Sequence, residues 1–194
     1  MGHLSEAPVV GLTGKACAGK DEAAELFRRR GWLVLDVDAY GHRALEVEKE
    51  RVLESFGYGV RGNDGRIDRK KLGALVFADR DSRDLLESIV HPRMKQEVAA
   101  DIEEARLERR PVCLNAALLF KMDLHLHCER VLMIKAPLLL RVWRARRRDG
   151  LPIYQIIGRM ISQRALFAKK KMENVDIYTV WNYTKLESFR RRVV

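Results

Sequence analysis

A glycine-rich segment followed by a lysine is the part of this chain best suited to chemistry. Gly14 and Gly19 have the spacing G-x-x-x-x-G-K with Lys20, which is that of a phosphate-binding loop. In such a loop the glycines let backbone N–H groups turn toward a phosphate, and the lysine reaches the terminal phosphates. The residues between the glycines are Lys15, Ala16, Cys17 and Ala18. Because an apolar run precedes the loop and a helical pattern follows it, we predict nucleotide phosphate binding rather than an ordinary glycine turn with a surface lysine.

The residue after the lysine departs from the usual motif. Most such loops carry a serine or threonine there, whose hydroxyl binds Mg²⁺, but this chain has Asp21. A carboxylate is a hard oxygen ligand that can hold the same ion, and it also suits the positive end of a helix. Two interpretations therefore stay open: Asp21 is a magnesium ligand, or it is only a helix cap beside a weakened metal site.

Two further carboxylates follow the second apolar run. Asp36 comes directly after Leu33 to Leu35, and Asp38 follows two residues later. Ligands of open parallel sheets bind at the carboxyl ends of the strands. Residues i and i+2 of a strand face the same side, so both carboxylates are expected to approach one metal or phosphate. One can orient an attacking hydroxyl while the other helps to hold Mg²⁺. The alternative is a turn whose aspartates cap the next helix, but the phosphate loop upstream favours the catalytic interpretation.

The spacing of apolar segments predicts the elements that position these groups. Short apolar runs, typical of buried parallel strands, occupy 9–13, 32–36, 112–116, 130–135 and 177–181. Helical segments separate them, which predicts an α/β fold with a parallel sheet covered on both faces. We expect a single domain with a core over 8–40, 111–135 and 174–194, a helical insertion over 41–110 and a helical lid over 136–173. Pro92 is expected to kink the helical run of the first insertion.

Composition narrows the class of protein further. The chain has 194 residues, of which 47% are hydrophobic and 33% charged, as in a globular domain. No apolar stretch is long enough to span a membrane, and no cleavable signal pattern opens the chain. Cys17, Cys113 and Cys128 lack the spacing of metal ligands, so we predict free thiols and a cytoplasmic location.

Basic residues are unevenly distributed along the chain. The formal net charge is +10, and the basic clusters lie at 141–148, 169–171 and 190–192. Such clusters either attract anions, including polyphosphate metabolites, or are only solvated helix faces. Aromatic residues interleaved with the basic ones are scarce, and no recognised nucleic-acid motif occurs, so no nucleic-acid partner is expected.

Taken in order, the motifs resemble those of the dephospho-coenzyme A kinase family of P-loop kinases. The resemblance covers nearly the whole chain. The matching segments are 10–20, 35–38, 56–57, 64–72, 76–79, 86–92, 118–120, 148–151, Arg159 with Gln163, and Asp176 with Asn182. The segment Leu-Glu-Ser-Ile-Val-His-Pro at 86–92 is the most specific of these, because generic P-loop kinases lack it.

This resemblance implies a fold, a reaction and a set of site residues. The fold is a three-layer αβα sandwich around a five-stranded parallel sheet, with a helical acceptor-binding subdomain and a helical lid. The reaction uses ATP and Mg²⁺ to phosphorylate the ribose 3′-hydroxyl of dephospho-coenzyme A. The implied catalytic residues are Asp38, Lys20 and Arg148, and Asp36 would assist at the metal side, beside Asp21 if that carboxylate is a ligand. Nucleotide contacts would come from Gly14 through Glu22 and from Asn182. The acceptor would be bound by Asp38, His42, Arg69, Leu72, Phe77, His91, Pro92 and Leu118.

Several residues depart from the family pattern or have a simpler explanation. Lys15 replaces a glycine of the family, Ala18 a serine or glycine, and Lys121 a glutamate. Asp21 and Glu22 replace a serine and a threonine. His91 can instead be a core histidine at a helix bend, and Asp68 can be an N-cap. Besides an active kinase acting as a monomer or weak oligomer without a membrane partner, two hypotheses remain: another small-molecule or nucleotide kinase on the same scaffold, and a nucleotide-binding protein with weak catalysis.

Overall fold

The architecture is that of an α/β protein with a separate helical unit. A computed structural model describes residues 7–149, 175–183 and 186–193. Most of the expected lid, including Arg159, Gln163 and the lysines at 169–171, lies outside the described residues. The chain divides into two compact units, one formed by 1–36 with 101–194 and the other by 37–100.

All the strands of the first unit belong to one parallel sheet. They are β1 (Val9–Gly14), β2 (Leu33–Asp36), β3 (Val112–Asn115), β4 (Arg130–Lys135) and β5 (Asp176–Trp181). Their spatial order is β2-β3-β1-β4-β5, which confirms the predicted five-stranded parallel sheet. The central strand β1 is buried throughout, as a strand covered on both faces requires.

Helices occupy most of the remaining described chain. They are α1 (Lys20–Arg29), α2 (Val37–Val47), α3 (Lys49–Phe56), α4 (Arg69–Ala78), α5 (Arg80–Leu107), α6 (Leu138–Asp149) and α7 (Leu186–Val193), with short 3₁₀ turns at Tyr58–Val60 and Leu124–His127. Within this set, none combines the length and the apolar composition needed to cross a bilayer.

Helix α1 follows the phosphate loop and covers the sheet. Ala23, Ala24, Leu26 and Phe27 point into the core that also contains residues of β1 and β4, and the Phe27 ring meets Trp32 edge to face at 5.0 Å. Acidic residues occupy its first turn and arginines its last turn, which suits the helix dipole. The helix is therefore firmly attached, so its N-terminus is a rigid support for the loop.

The second unit contains α2, α3, α4 and most of α5. Helix α4 begins after Asp68, whose side chain accepts hydrogen bonds from the backbone N–H groups of Lys70 and Lys71 at 3.0 and 3.1 Å. The interpretation of Asp68 as an N-cap is thus confirmed. Helix α5 continues through Pro92, although that residue has no N–H to donate to the carbonyl of Ser88.

One expected local geometry is wrong. The second strand ends at Asp36, and α2 begins at Val37, so Asp38 lies in the first turn of a helix. The alternation of a strand therefore does not relate the two carboxylates, because the backbone changes from extended to helical between them.

Candidate active site

The phosphate loop joins the central strand β1 to α1, and its two motif glycines are required for different reasons. A Cβ on Gly14 would lie 2.5 Å from the carbonyl oxygen of Ile134 in β4, so only glycine fits beside that strand. Gly19 is the N-cap of α1 and has a φ of 103°, a conformation that side chains disfavour. A Cβ there would also collide with the amide of Asn182. Close packing and backbone conformation together account for the two glycines of the motif.

Lys20 is held by a side chain that the sequence argument missed. Its Nζ donates to Oδ1 of Asn115 at 2.5 Å and lies 3.4 Å from Oδ1 of Asp21. Nδ2 of Asn115 donates to that same Asp21 oxygen at 3.4 Å. Asn115 is the last residue of β3, is buried, and pairs with Leu12 of β1 and Asp36 of β2. Its place at the carboxyl end of an apolar strand, like that of Asp36, is the signal that could have identified it.

Helix α6 and the end of β5 support the other side of the loop. Nε of Arg141 donates to the carbonyl of Ala16 at 2.8 Å, and Nη1 of Arg144 donates to the carbonyls of Cys17 and Ala18, both at 3.4 Å. The buried Asn182 donates through Nδ2 to the same Ala18 carbonyl at 2.9 Å and accepts from Arg144. The structure thus brings Asn182 to the loop. Sequence reasoning placed Arg141 only within a basic cluster.

Further arginines follow Arg144 on α6. Arg147 lies over the ring of Trp143, with its guanidinium carbon 5.7 Å from the ring centre, and Arg148 is exposed. Of the arginines in the basic cluster at 141–148, Arg141 and Arg144 contact the loop. The role of Arg148 in contacting phosphates stays a prediction.

The carboxylates near the loop suit a hard cation. Asp21 lies in the first turn of α1 and is not its N-cap, which is Gly19, so the cap interpretation is wrong in that detail. Its side chain is 83% exposed, while Asp36 is half-buried at the end of β2. The described residues contain no cluster of three or more potential metal ligands, but Mg²⁺ is commonly held by one or two carboxylates together with substrate phosphates and water. The donor set therefore fits magnesium brought by a nucleotide.

The predicted acceptor residues are spread over the described chain. Asp38, His42, Arg69 and Phe77 are exposed, Leu72 is buried and Leu118 is half-buried. His91 is half-buried rather than part of the core, and it lines a cavity of about 420 Å³ on α5. The other lining residues are Asp84, Glu87, Ser88, Pro92 and Lys95.

An ion-pair group links α2 to α5 within the second unit. Glu97 accepts from Nε of Arg93 at 2.7 Å and from Nε of Arg43 at 3.2 Å. Partial burial opposes ionisation, but the hydrogen bonds from the two arginines leave the pKa of Glu97 lowered. Since Arg43 belongs to the helix that begins beside Asp38, this group steadies the helix that carries the predicted catalytic carboxylate.

Fold and site together define a class of protein. A parallel sheet covered by helices, with a glycine loop between its central strand and a helix and a lysine at that helix N-terminus, is the arrangement of P-loop nucleotide-binding proteins. The loop backbone is held on one side by Arg141, Arg144 and Asn182, and the lysine is held on the other side by Asn115.

Comparison with known proteins identifies the family. The sequence profile described as dephospho-CoA kinase matches residues 8–184, and the chain belongs to that family. It is 30% identical over 194 residues to the dephospho-CoA kinase of Treponema pallidum, covering 96% of this chain and 92% of the relative. It is 33% identical over 192 residues to the dephospho-CoA kinase of Thermus thermophilus, and the match covers 98% of this chain and 91% of the relative.

Solved structures have the same fold over nearly the whole chain. A crystal structure from Thermus thermophilus superposes with a TM-score of 0.80 at 32% identity, over 97% of this chain and 94% of the other. The dephospho-CoA kinase of Campylobacter jejuni has the same fold, with a TM-score of 0.69 at 22% identity. This match covers 95% of this chain and 92% of the other. The family profile and these relatives confirm the resemblance stated from the motifs.

Proposed function

We propose that this chain transfers the γ-phosphoryl group of ATP to the ribose 3′-hydroxyl of dephospho-coenzyme A, giving coenzyme A and ADP. Family membership supports the reaction class. The observation that carries the proposal for this chain is its phosphate loop, in which Lys20 is held at the helix N-terminus by the 2.5 Å bond to Asn115. A lysine fixed there can stabilise the negative charge of the terminal phosphates without first rearranging.

The proposed transfer is a direct displacement. The 3′-hydroxyl oxygen bonds to the γ-phosphorus, the bond from that phosphorus to the β–γ bridging oxygen breaks, and ADP leaves. Asp38, exposed in the first turn of α2, orients the hydroxyl and accepts its proton. Lys20 and the loop N–H groups bind the phosphates, and Arg148 stabilises the charge of the transferring group. When bound with the nucleotide, Mg²⁺ offsets phosphate charge, and Asp21 and Asp36 are the residues that would hold it.

The acceptor is assigned to the second unit. His91 and Pro92 line the cavity on α5 beside charged groups of both signs, which suits a polar ligand. Exposed His42, Arg69 and Phe77 are further candidates on that unit for contacts with dephospho-coenzyme A. Leu72 is buried, so its proposed contribution is to support this surface from beneath.

A coupled ADP-release assay tests the proposal. With ATP and Mg²⁺, ADP should form only when dephospho-coenzyme A is added, and coenzyme A should appear in equal amount. Lys20→Ala should abolish turnover in a folded protein, whereas Lys49→Ala, which removes a lysine from the second unit, should leave it unchanged. Normal turnover by Lys20→Ala would contradict the role of the loop.

A second candidate function is nucleotide binding with weak transfer. It is favoured by Asp21, which places a carboxylate where phosphate loops usually carry a hydroxyl. Tight ATP binding by the unmodified protein with no ADP release would support it. ADP release with a different acceptor would indicate another small-molecule kinase.

A further inference from the structure

Arg141 is an unusual residue for the inside of a protein. It lies at the start of α6 and is only 6% exposed, and burial lowers the pKa of its guanidinium. Among the side chains that the structure describes, no carboxylate lies within ion-pair distance of it, and its Nη2 has no hydrogen-bond partner. A buried guanidinium with no carboxylate beside it among the described residues is unfavourable, so the contact that it does make bears on its role.

The bond that Arg141 does make is directed at the phosphate loop. Nε donates to the carbonyl of Ala16 at 2.8 Å. In a trans peptide the carbonyl and the following N–H point in opposite directions. Holding the Ala16 carbonyl toward α6 therefore turns the N–H of Cys17 away from α6.

Cys17 itself needs such support. Its φ is 59°, a left-handed conformation that is strained for a residue with a side chain. Arg144 and Asn182 hold the next two carbonyls, those of Cys17 and Ala18. The buried guanidinium of Arg141 thus anchors the first of three successive peptide units.

We propose that Arg141 is a positioning residue for the nucleoside triphosphate. Its guanidinium fixes the Ala16 carbonyl, and the N–H of Cys17 is thereby presented to the phosphates. This inference rests on the proposed function in one respect: the loop must bind a nucleotide. It does not depend on which acceptor is phosphorylated.

Two substitutions of similar length separate the carbonyl contact from mere packing. Arg141→Gln places a neutral N–H donor the same number of bonds from the backbone as Nε, whereas Arg141→Met has similar length and no donor. Calorimetric titration with ATP, and with inorganic triphosphate, should show about a 10-fold or greater loss of affinity for Arg141→Met, of the size expected when a positioning hydrogen bond is lost. Arg141→Gln should stay within about 3-fold of the unmodified protein. Arg130→Met removes an exposed arginine at the start of β4 and should change neither affinity.

The same measurements can overturn the inference. Unchanged triphosphate affinity in Arg141→Met would refute it. An equal loss in Arg141→Gln and Arg141→Met would assign the effect to charge instead of the Ala16 contact, and would refute it as well. Normal phosphorylation of dephospho-coenzyme A together with either result would leave the proposed function intact. ATP binding without turnover would contradict only the proposed function.

A measurement on the unmodified protein covers the case in which Arg141→Met fails to fold. In two-dimensional ¹⁵N–¹H spectra, adding inorganic triphosphate should shift the Cys17 amide, and the Arg141 Nε–H should remain protected from exchange with water. An unmoved Cys17 amide at saturating triphosphate would overturn the inference. Loss of protection at the Arg141 Nε–H would do the same.

Discussion

Removing the amide of Asn115 should weaken nucleotide binding by releasing Lys20. The bond from Lys20 Nζ to Asn115 Oδ1 is 2.5 Å long, and the lysine side chain is only 12% exposed. A hydrogen bond to a charged group contributes about 1.5–3 kcal/mol, and freeing a lysine side chain adds an entropic cost when it must be ordered by ligand. We expect Asn115→Ala to raise the Kd for ATP by about 10- to 100-fold.

Calorimetric titration with ATP measures this effect, and thermal unfolding of each variant measures its stability in parallel. Cys113→Ala is the matched control, since Cys113 is buried in the same strand and faces the same side two residues earlier. Asn115→Asp is a second probe: it keeps the acceptor for Lys20 and should preserve the hold on the lysine. Its added negative charge near the phosphates should still weaken ATP binding.

A double-mutant cycle decides whether Asn115 acts through the lysine. In a Lys20→Ala background, Asn115→Ala should cause no further loss of ATP affinity, because the group it positions is already gone. Full additivity of the two losses would refute the reasoning. Unchanged ATP affinity in Asn115→Ala alone, with Lys20→Ala still defective, would refute it too.

Three further predictions follow from the site. Asp38→Asn should lower kcat by about 10²-fold or more while the Kd for ATP changes little; lost ATP binding at an unchanged single-turnover rate would exclude the proton-acceptor role. Asp21→Ser should preserve or improve activity, and Asp21→Ala should raise the Mg²⁺ concentration needed for ATP binding. An unchanged Mg²⁺ dependence in Asp21→Ala would show that the carboxylate is not a ligand. At pH 8.5 an alkylating reagent should modify Cys17 and spare Cys113 and Cys128, because burial raises the pKa of both other thiols to about 12 and keeps them protonated. ATP should protect Cys17, as mass spectrometry would show.

The sheet could be predicted strand by strand because each strand carries its own signal. Buried parallel strands are short apolar runs, and all five runs become strands, with ends that shift by at most one residue at either terminus. The N-cap at Asp68 could be predicted for the same reason, since it depends only on backbone N–H groups two and three residues further along the chain.

Departures from the expected local geometry arose where backbone conformation changes within a few residues. Asp38 was expected to continue the direction of the strand, but α2 starts at Val37, one residue before it. Asp21 was considered as a cap, although the left-handed Gly19 takes that position. The spacing of hydrophobic residues does not show where α1 or α2 begins, because the backbone changes conformation there without a change in that spacing.

What the sequence determined by itself is the phosphate loop, the parallel sheet and the family resemblance, since each depends on residue types at fixed short spacings. Only the tertiary structure showed that Asn115 holds Lys20 and that Arg141 holds the loop from the other side. Asn115 is 95 residues from Lys20, and Arg141 is 125 residues from Ala16. Their contacts exist because the parallel order β2-β3-β1-β4-β5 brings the carboxyl ends of distant strands to one edge. That juxtaposition is a property of the sheet as a whole, and no single segment of the chain encodes it.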